Sequence, residues 1–112
     1  MPKISPRPAI TGHPLYQASM DAQHLAYQLM RQVPPDHRTE AALLVKSCVH
    51  ATAYATAALE DERADRAEST RLMAACASEA LARLAPIAHL AQDARDAETL
   101  QKKLEEMVQA AA

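Results

Sequence analysis

The chain has 112 residues, of which 26 are alanine, one is glycine and only three are aromatic, all of them tyrosine. This composition argues against a β-sandwich or barrel, which needs turn glycines and strands of β-branched or aromatic residues. It also excludes glycine-rich phosphate loops, and the net charge of −2 lacks the basic excess of duplex-binding proteins. We therefore expect a single, all-helical domain.

Cysteine usage and the N-terminal residues bear on the compartment. Two cysteines in a chain with no other covalent staples fit a reducing environment, and residues 1–14 contain four prolines but no hydrophobic signal core. No uninterrupted apolar run approaches the roughly 20 residues that span a bilayer. These features predict a cytoplasmic protein with no membrane partner.

Residues 1–13 are predicted to form an extended proline-rich arm, and residues 14–112 the folded domain. The first helix is predicted to begin at Pro14 and to end before Pro34, because proline suits the first helical position and disfavours helix in the residue before it. Its core stripe repeats every three or four positions and contains Leu15, Ala18, Ala22, Leu25 and Leu29. A second stripe predicts more than one neighbouring element and contains Tyr16, Met20, Tyr27 and Met30.

The second helix is predicted to run from about residue 36 to residue 61, with Asp36 as its N-cap. Between Ala41 and Leu59 its only Lys, Arg, Asp or Glu is Lys46. Because a solvated helix carries charges over much of its surface, we expect this helix to be covered on several sides, in part by another subunit. The candidate oligomer-interface residues are Val45, Val49, Ala51, Ala55 and Ala58.

Two more helices complete the predicted domain. The third carries a 4-3-4-3-4 apolar pattern containing Met73, Ala77, Ala80, Leu84, Ile87 and Ala91, with Pro86 inside it as an expected kink. The last helix is predicted to be capped by Asp96. Its predicted core-facing residues are Ala97, Leu100, Leu104, Met107 and Ala111. Short connections favour an antiparallel up-down-up-down four-helix bundle. Its alanine core is thin for a lone monomer, which favours assembly into a homo-oligomeric barrel.

Five segments of this layout resemble one known family. Leu15–Tyr16, Leu25–Tyr27 and Val33–Arg38 resemble the opening of the Avd-like four-helix-bundle family, with its Leu/Tyr-rich first helix and its proline turn. Ala75–Leu84 and Ile87–Ala91 are similar to its third helix. The family comprises the accessory variability determinant proteins of diversity-generating retroelements and, as relatives, ribosomal-RNA intervening-sequence proteins. The likeness covers about residues 14–111.

The resemblance implies a non-enzymatic homopentameric barrel that binds the reverse transcriptase of the element and its template RNA. Family members are typically basic, whereas this chain has a net charge of −2. That departure leaves a second function open beside the first, a small homo-oligomeric adaptor that binds only protein partners.

Six cationic or titratable side chains are candidates for nucleic-acid contact, because assembly would multiply each charge around a ring. They are Arg31, Arg38, Lys46, His50, Arg71 and Arg83. Glu68 and Glu79 stand one turn before the last two arginines, a spacing that more often indicates ordinary surface ion pairs.

Other chemistry has weaker support in the sequence. Asp21 and His24 share a helix face, but no second such pair occurs, so we expect a surface polar pair and neither a metal nor a cofactor. Cys48 and Cys76 lie equally far from the predicted turn, and we expect free thiols that pack as small hydrophobic groups. No catalytic triad or zinc-binding spacing is present, and we expect no enzymatic activity.

Overall fold

The computed structural model describes residues 8–60 and 65–111, and within these ranges the chain is helical with no strand. A one-turn helix precedes four long helices. These elements are α1 (Pro8–Thr11), α2 (Pro14–Gln32), α3 (Arg38–Glu60), α4 (Asp65–Leu84) and α5 (Ala94–Gln109). Turns of 3₁₀-helix occupy Pro35–His37 and Ala88–Leu90.

The four long helices enclose one core. Each packs against two others, in the order α2, α3, α4, α5 and back to α2. Ten of the 22 buried hydrophobic residues are alanine, and leucine and methionine supply most of the larger side chains. The predicted alanine-rich helical core is confirmed. The radius of gyration of 14.2 Å is close to the roughly 13 Å of a compact domain of this size.

The predicted extended arm ends earlier than expected. Residues 8–11 form the helical turn α1, and Ile10 within it is only 5% exposed. Pro8 stands at the first position of this turn, where its missing N–H costs no hydrogen bond. Burial of Ile10 at the end of the bundle gives this short helix a reason to form. Residues 12 and 13 link α1 to α2, and residues 1–7 of the predicted arm lie outside the described residues.

Helix α2 has the predicted bounds. Pro14 is its first residue, and the Nδ1 atom of His13 caps it by accepting the Leu15 N–H at 3.1 Å. At the other end the Val33 N–H donates to the Leu29 carbonyl at 3.1 Å, after which two prolines stop the helix.

Helix α3 begins at Arg38, two residues later than predicted. Residues Pro35–His37 form a 3₁₀ turn, so Asp36 lies in that turn and the prediction that it caps α3 is wrong. The His37 N–H donates to the Pro34 carbonyl, which closes the turn. Glu40 occupies the first turn of α3 as predicted, and it pairs with His37 at 3.3 Å.

Pro86 terminates α4 instead of kinking it. The helix ends at Leu84, because proline lacks an N–H for the carbonyl four residues earlier and its ring crowds that carbonyl. The Ile87 N–H donates to the Leu84 carbonyl at 3.0 Å, and this tight turn returns Ile87 to the core.

Helix α5 is capped by Asp93, not by Asp96 as predicted. The Asp93 carboxylate accepts the Arg95 N–H at 2.9 Å. Four of the five predicted inward residues are buried, but Ala111 lies beyond the helix end and is exposed.

Candidate anion-binding groove

A groove lies between α3 and α4 and contains three of the six predicted anion-contacting residues. Its first cavity has a volume of about 250 Å³. Helix α3 lines it with four residues at helical spacing, Leu43, Lys46, Ser47 and His50, and α4 contributes Glu79 and Arg83. Spacings of three and four place the α3 residues on one helix face, which is why they reach the same cavity.

A second cavity of about 340 Å³ continues the groove, since Leu43 and Arg83 line both cavities. Its other lining residues are Glu40, Ala82 and Pro86. Leu43 is 38% exposed, and it is one of four large hydrophobic side chains that the described chain leaves open to solvent. The groove therefore has a cationic part, which Glu79 also lines, and an apolar part, which Glu40 also lines.

Arg83 joins the two cavities and is incompletely bonded. Its Nη2 atom donates to Glu79 Oε1 at 2.9 Å, as the sequence spacing predicts. Its Nε atom is buried and has no hydrogen-bond partner among the described residues. Buried donors are nearly always paired in proteins, so this N–H is a place where an acceptor would be stabilising.

The other three predicted contact residues lie outside the groove lining. Arg31 is exposed in the last turn of α2, and Arg38 is exposed at the start of α3. Arg71 pairs with Glu68 on the exposed face of α4, and the hydrogen bond from Arg71 lowers the pKa of Glu68. The sequence therefore identified Lys46, His50 and Arg83 as candidates but gave no indication that the fold joins only these three.

The predicted oligomer interface needs correction. Val45, Ala51, Ala55 and Ala58 are buried inside the single chain, where they form part of the core between α3 and its neighbours. Only Val49 of the five candidates is exposed, at 36%. Four of the five residues are therefore unavailable to another subunit, because the protomer itself covers them.

The apolar side chains that do remain exposed include two on α2. Met20 and Tyr27 belong to the second stripe predicted for this helix, and both are more than a third exposed. Sequence periodicity placed them beside the core stripe but did not distinguish a covered position from an open one. Helix α3 contributes Leu43 and Val49 to this exposed apolar set.

The two cysteines are free and differ in burial. Cys48 is 1% exposed, and burial raises the pKa of its thiol to about 12. Cys76 is partly buried, and desolvation, with a smaller effect of Glu79, raises the pKa of its thiol as well. Both groups are protonated at neutral pH, so neither is an activated nucleophile.

The described residues contain no cluster of three or more histidine, cysteine or acidic side chains that could hold a metal ion. Asp21 and His24 are exposed and have different partners: Asp21 lies 3.7 Å from the Lys103 ammonium, and His24 contacts Gln28. Both are surface polar residues as the sequence predicts, but each contacts a different residue instead of the other.

One segment meets the length and composition of a membrane span. Residues Pro35–Glu60 contain an 18-residue window with a mean hydropathy of 1.2, although no long run is free of polar residues. A core helix of a bundle has the same properties, and the buried residues of α3 include Leu44, Cys48 and Ala55 in the shared core.

Comparison of the chain with protein-family models, with curated proteins and with solved structures finds no match.

Proposed function

We propose that this chain is a non-enzymatic accessory protein of a reverse-transcribing element of the diversity-generating type. It acts as a cytoplasmic scaffold that binds the reverse transcriptase and the template RNA, while the polymerase performs the chemistry. One observation carries the proposal: the six predicted anion-contacting side chains all lie outside the core, five exposed and Arg83 half-buried. Three of them line the α3–α4 groove together with other residues, while Arg31 and Arg38 flank the proline turn, so two separate surfaces can receive anionic groups.

The proposal includes an antiparallel up-down-up-down bundle that assembles into a homo-oligomer, as a pentamer in the form that the family resemblance implies. Two contacts between α2 and α5 support an antiparallel orientation of these two helices. Asp21 meets Lys103, whereas Gln32, later in α2, meets Asp96, earlier in α5. Rising residue numbers along one helix thus meet falling numbers along the other, as antiparallel helices require.

The RNA contact is tested by its salt dependence. We expect single-stranded RNA to bind the full chain at low salt and to dissociate as salt rises, because bound phosphates release counterions. Replacing Arg31 and Arg38 together by Gln removes two exposed cations. It should lower the slope of log affinity against log salt concentration by about 1.4, since each single-strand phosphate contact contributes about 0.7. Fluorescence anisotropy measures this slope.

Lys102→Gln is the matched control, since Lys102 is exposed on α5 and was not predicted to contact RNA. Equal slopes for the control and the double variant would contradict the RNA contact. Absence of RNA binding even at low salt, with assembly intact, would favour the second candidate function.

That second candidate is a homo-oligomeric adaptor that binds only protein. A specific observation favours it: Glu40 and Glu79 stand in the same groove as the cations and offset their charge. Exposed Met20, Tyr27 and Val49 add apolar surface of the kind found at protein contacts. Both candidate functions require a protein partner, and they differ in whether RNA is also bound.

A further inference from the structure

We propose that the α3–α4 groove is a docking site for a short acidic–apolar peptide segment of a protein partner. One carboxylate of the segment is held by Lys46 and Arg83, and the adjoining apolar side chain packs on Leu43 and Pro86. The inference rests on the proposed function only in that a protein partner exists, which both candidate functions share. It assigns the groove to that partner and leaves RNA to the cations outside the groove.

The carboxylate end is defined by Arg83. Glu79 accepts from its Nη2 atom, and the buried Nε–H is left without an acceptor among the described residues. A guanidinium offers parallel N–H groups that match the two oxygens of a carboxylate. The Nε atom is covered in this conformation, so a ligand carboxylate reaches it only when Arg83 turns toward the cavity, which Lys46 and His50 of α3 also line. An incoming carboxylate thus gains charge-assisted hydrogen bonds and supplies the missing acceptor.

The apolar end is defined by Leu43, Ala82 and Pro86. These side chains line the second cavity, next to the one that contains the cations. Burying the exposed part of Leu43 under an incoming aliphatic side chain removes apolar surface from water. Because Leu43 and Arg83 line both cavities, the acidic and the apolar side chain of the ligand must be close neighbours along its chain.

Charge complementarity favours a peptide over RNA in this groove. With histidine neutral, Lys46 and Arg83 are balanced by Glu40 and Glu79, so the lining has no net charge. Successive phosphates of an RNA strand would meet both carboxylates, whereas a peptide with one acidic side chain brings a single negative charge beside Glu79, which Arg83 already pairs, and leaves Glu40 facing its neutral backbone N–H groups. The imidazole of His50 is the only aromatic ring among the residues that line the two cavities, and no Phe, Tyr or Trp offers the larger platform on which an unpaired base usually stacks.

The experiment titrates fluorescein-labelled octapeptides into the isotope-labelled full chain and follows backbone amide shifts. The probes contain a central Glu-Leu pair, and matched peptides contain Gln-Leu or Glu-Ser in its place. We expect shifts around Lys46, His50 and Arg83 with the Glu-Leu peptide, and at least tenfold weaker binding of both matched peptides. Lys46→Gln and Arg83→Gln should each weaken Glu-Leu binding at least tenfold, while Lys102→Gln leaves it unchanged.

Lys46 is exposed, so Lys46→Gln keeps the test sound if Arg83→Gln perturbs the fold. Equal affinity for the Glu-Leu and Gln-Leu peptides would overturn the inference, as would shifts that lie elsewhere on the chain. Displacement of the peptide by a uridine octanucleotide would assign the groove to RNA and overturn it as well. Failure here leaves the salt-dependent RNA binding through Arg31 and Arg38 unaffected, so the two proposals fail separately.

Discussion

Cys48 shows how burial suppresses the reactivity of a thiol. A thiol in an apolar core ionises reluctantly, because the thiolate loses its hydration there, and burial raises the pKa of Cys48 from 9.0 to about 12. The side chain packs among the core residues as a small hydrophobic group. The sequence predicts this role, because a free thiol in a helical core usually packs as a small hydrophobic group.

Because the pKa of Cys48 is raised, the free energy of unfolding changes with pH in the alkaline range. The folded thiol stays protonated above pH 9 while the unfolded thiol ionises, so the unfolded state binds fewer protons and the free energy of unfolding falls. The contribution is fully present below pH 9 and is lost as pH rises toward 12, by about 1 kcal/mol per pH unit. Urea unfolding at pH 8 and at pH 10 measures the loss.

Cys48→Ala is the control, because it keeps every other titrating group. We expect the drop in unfolding free energy between the two pH values to be smaller in this variant by about 1 kcal/mol. The same drop in both proteins would show that Cys48 is accessible to water.

Among the helices, proline and cap residues determine where each one begins and ends. The sequence located α2 well, because Pro14 and the Pro34–Pro35 pair act through local sterics. The sequence misplaced the start of α3 and the cap of α5. Asp36, Asp93 and Asp96 have the same intrinsic capping propensity, and the tertiary environment of each residue decides whether it caps a helix. Asp96 is instead engaged by Gln32 from another helix, a long-range contact that no local pattern contains.

Gln32 joins the end of α2 to the start of α5 through two hydrogen bonds. Its Nε2 atom donates to Asp96 Oδ2 at 2.8 Å, and its Oε1 atom accepts the Asp93 N–H at 3.0 Å. We expect Gln32→Ala to lower the free energy of unfolding by about 1–3 kcal/mol, because partly buried partners lose their bonds. Urea denaturation measures the change.

Gln28→Ala serves as the comparison, one turn earlier in the same helix. Gln28 contacts only the exposed ring of His24 among the hydrogen bonds that join described side chains, so its loss should stay within about 0.5 kcal/mol. Similar effects of the two substitutions would mean that the bonds of Gln32 contribute little.

The packing of α3 shows why four of the five interface candidates lie in the core of the chain itself. The scarcity of charge on α3 predicts cover on several sides, in part by another subunit, and the structure shows that α1, α2 and α4 of the same chain pack on this helix. Periodicity reports that a position is buried but not which chain buries it, so Ala51 and Ala55 could not be told from interface residues. For the same reason the sequence identified the cationic residues of the groove one by one, but it could not predict that α3 and α4 bring three of them into one groove.

Two substitutions on α3 now separate core from interface. Ala55 is fully buried, so Ala55→Glu places an unpaired charge in the core at a cost of about 4–5 kcal/mol or more, comparable to the whole stability of a small domain. We expect loss of helical circular dichroism.

Val49 is the one interface candidate that is exposed, and Val49→Glu should keep the helical signal while lowering the native mass measured by light scattering. A folded Ala55→Glu protein would contradict the core described above, and an unchanged mass for Val49→Glu would remove α3 from the subunit contact. A wild-type chain that is monomeric in dilute solution would contradict the assembly itself, and the exposed side chains of α2 would then be free for a different protein.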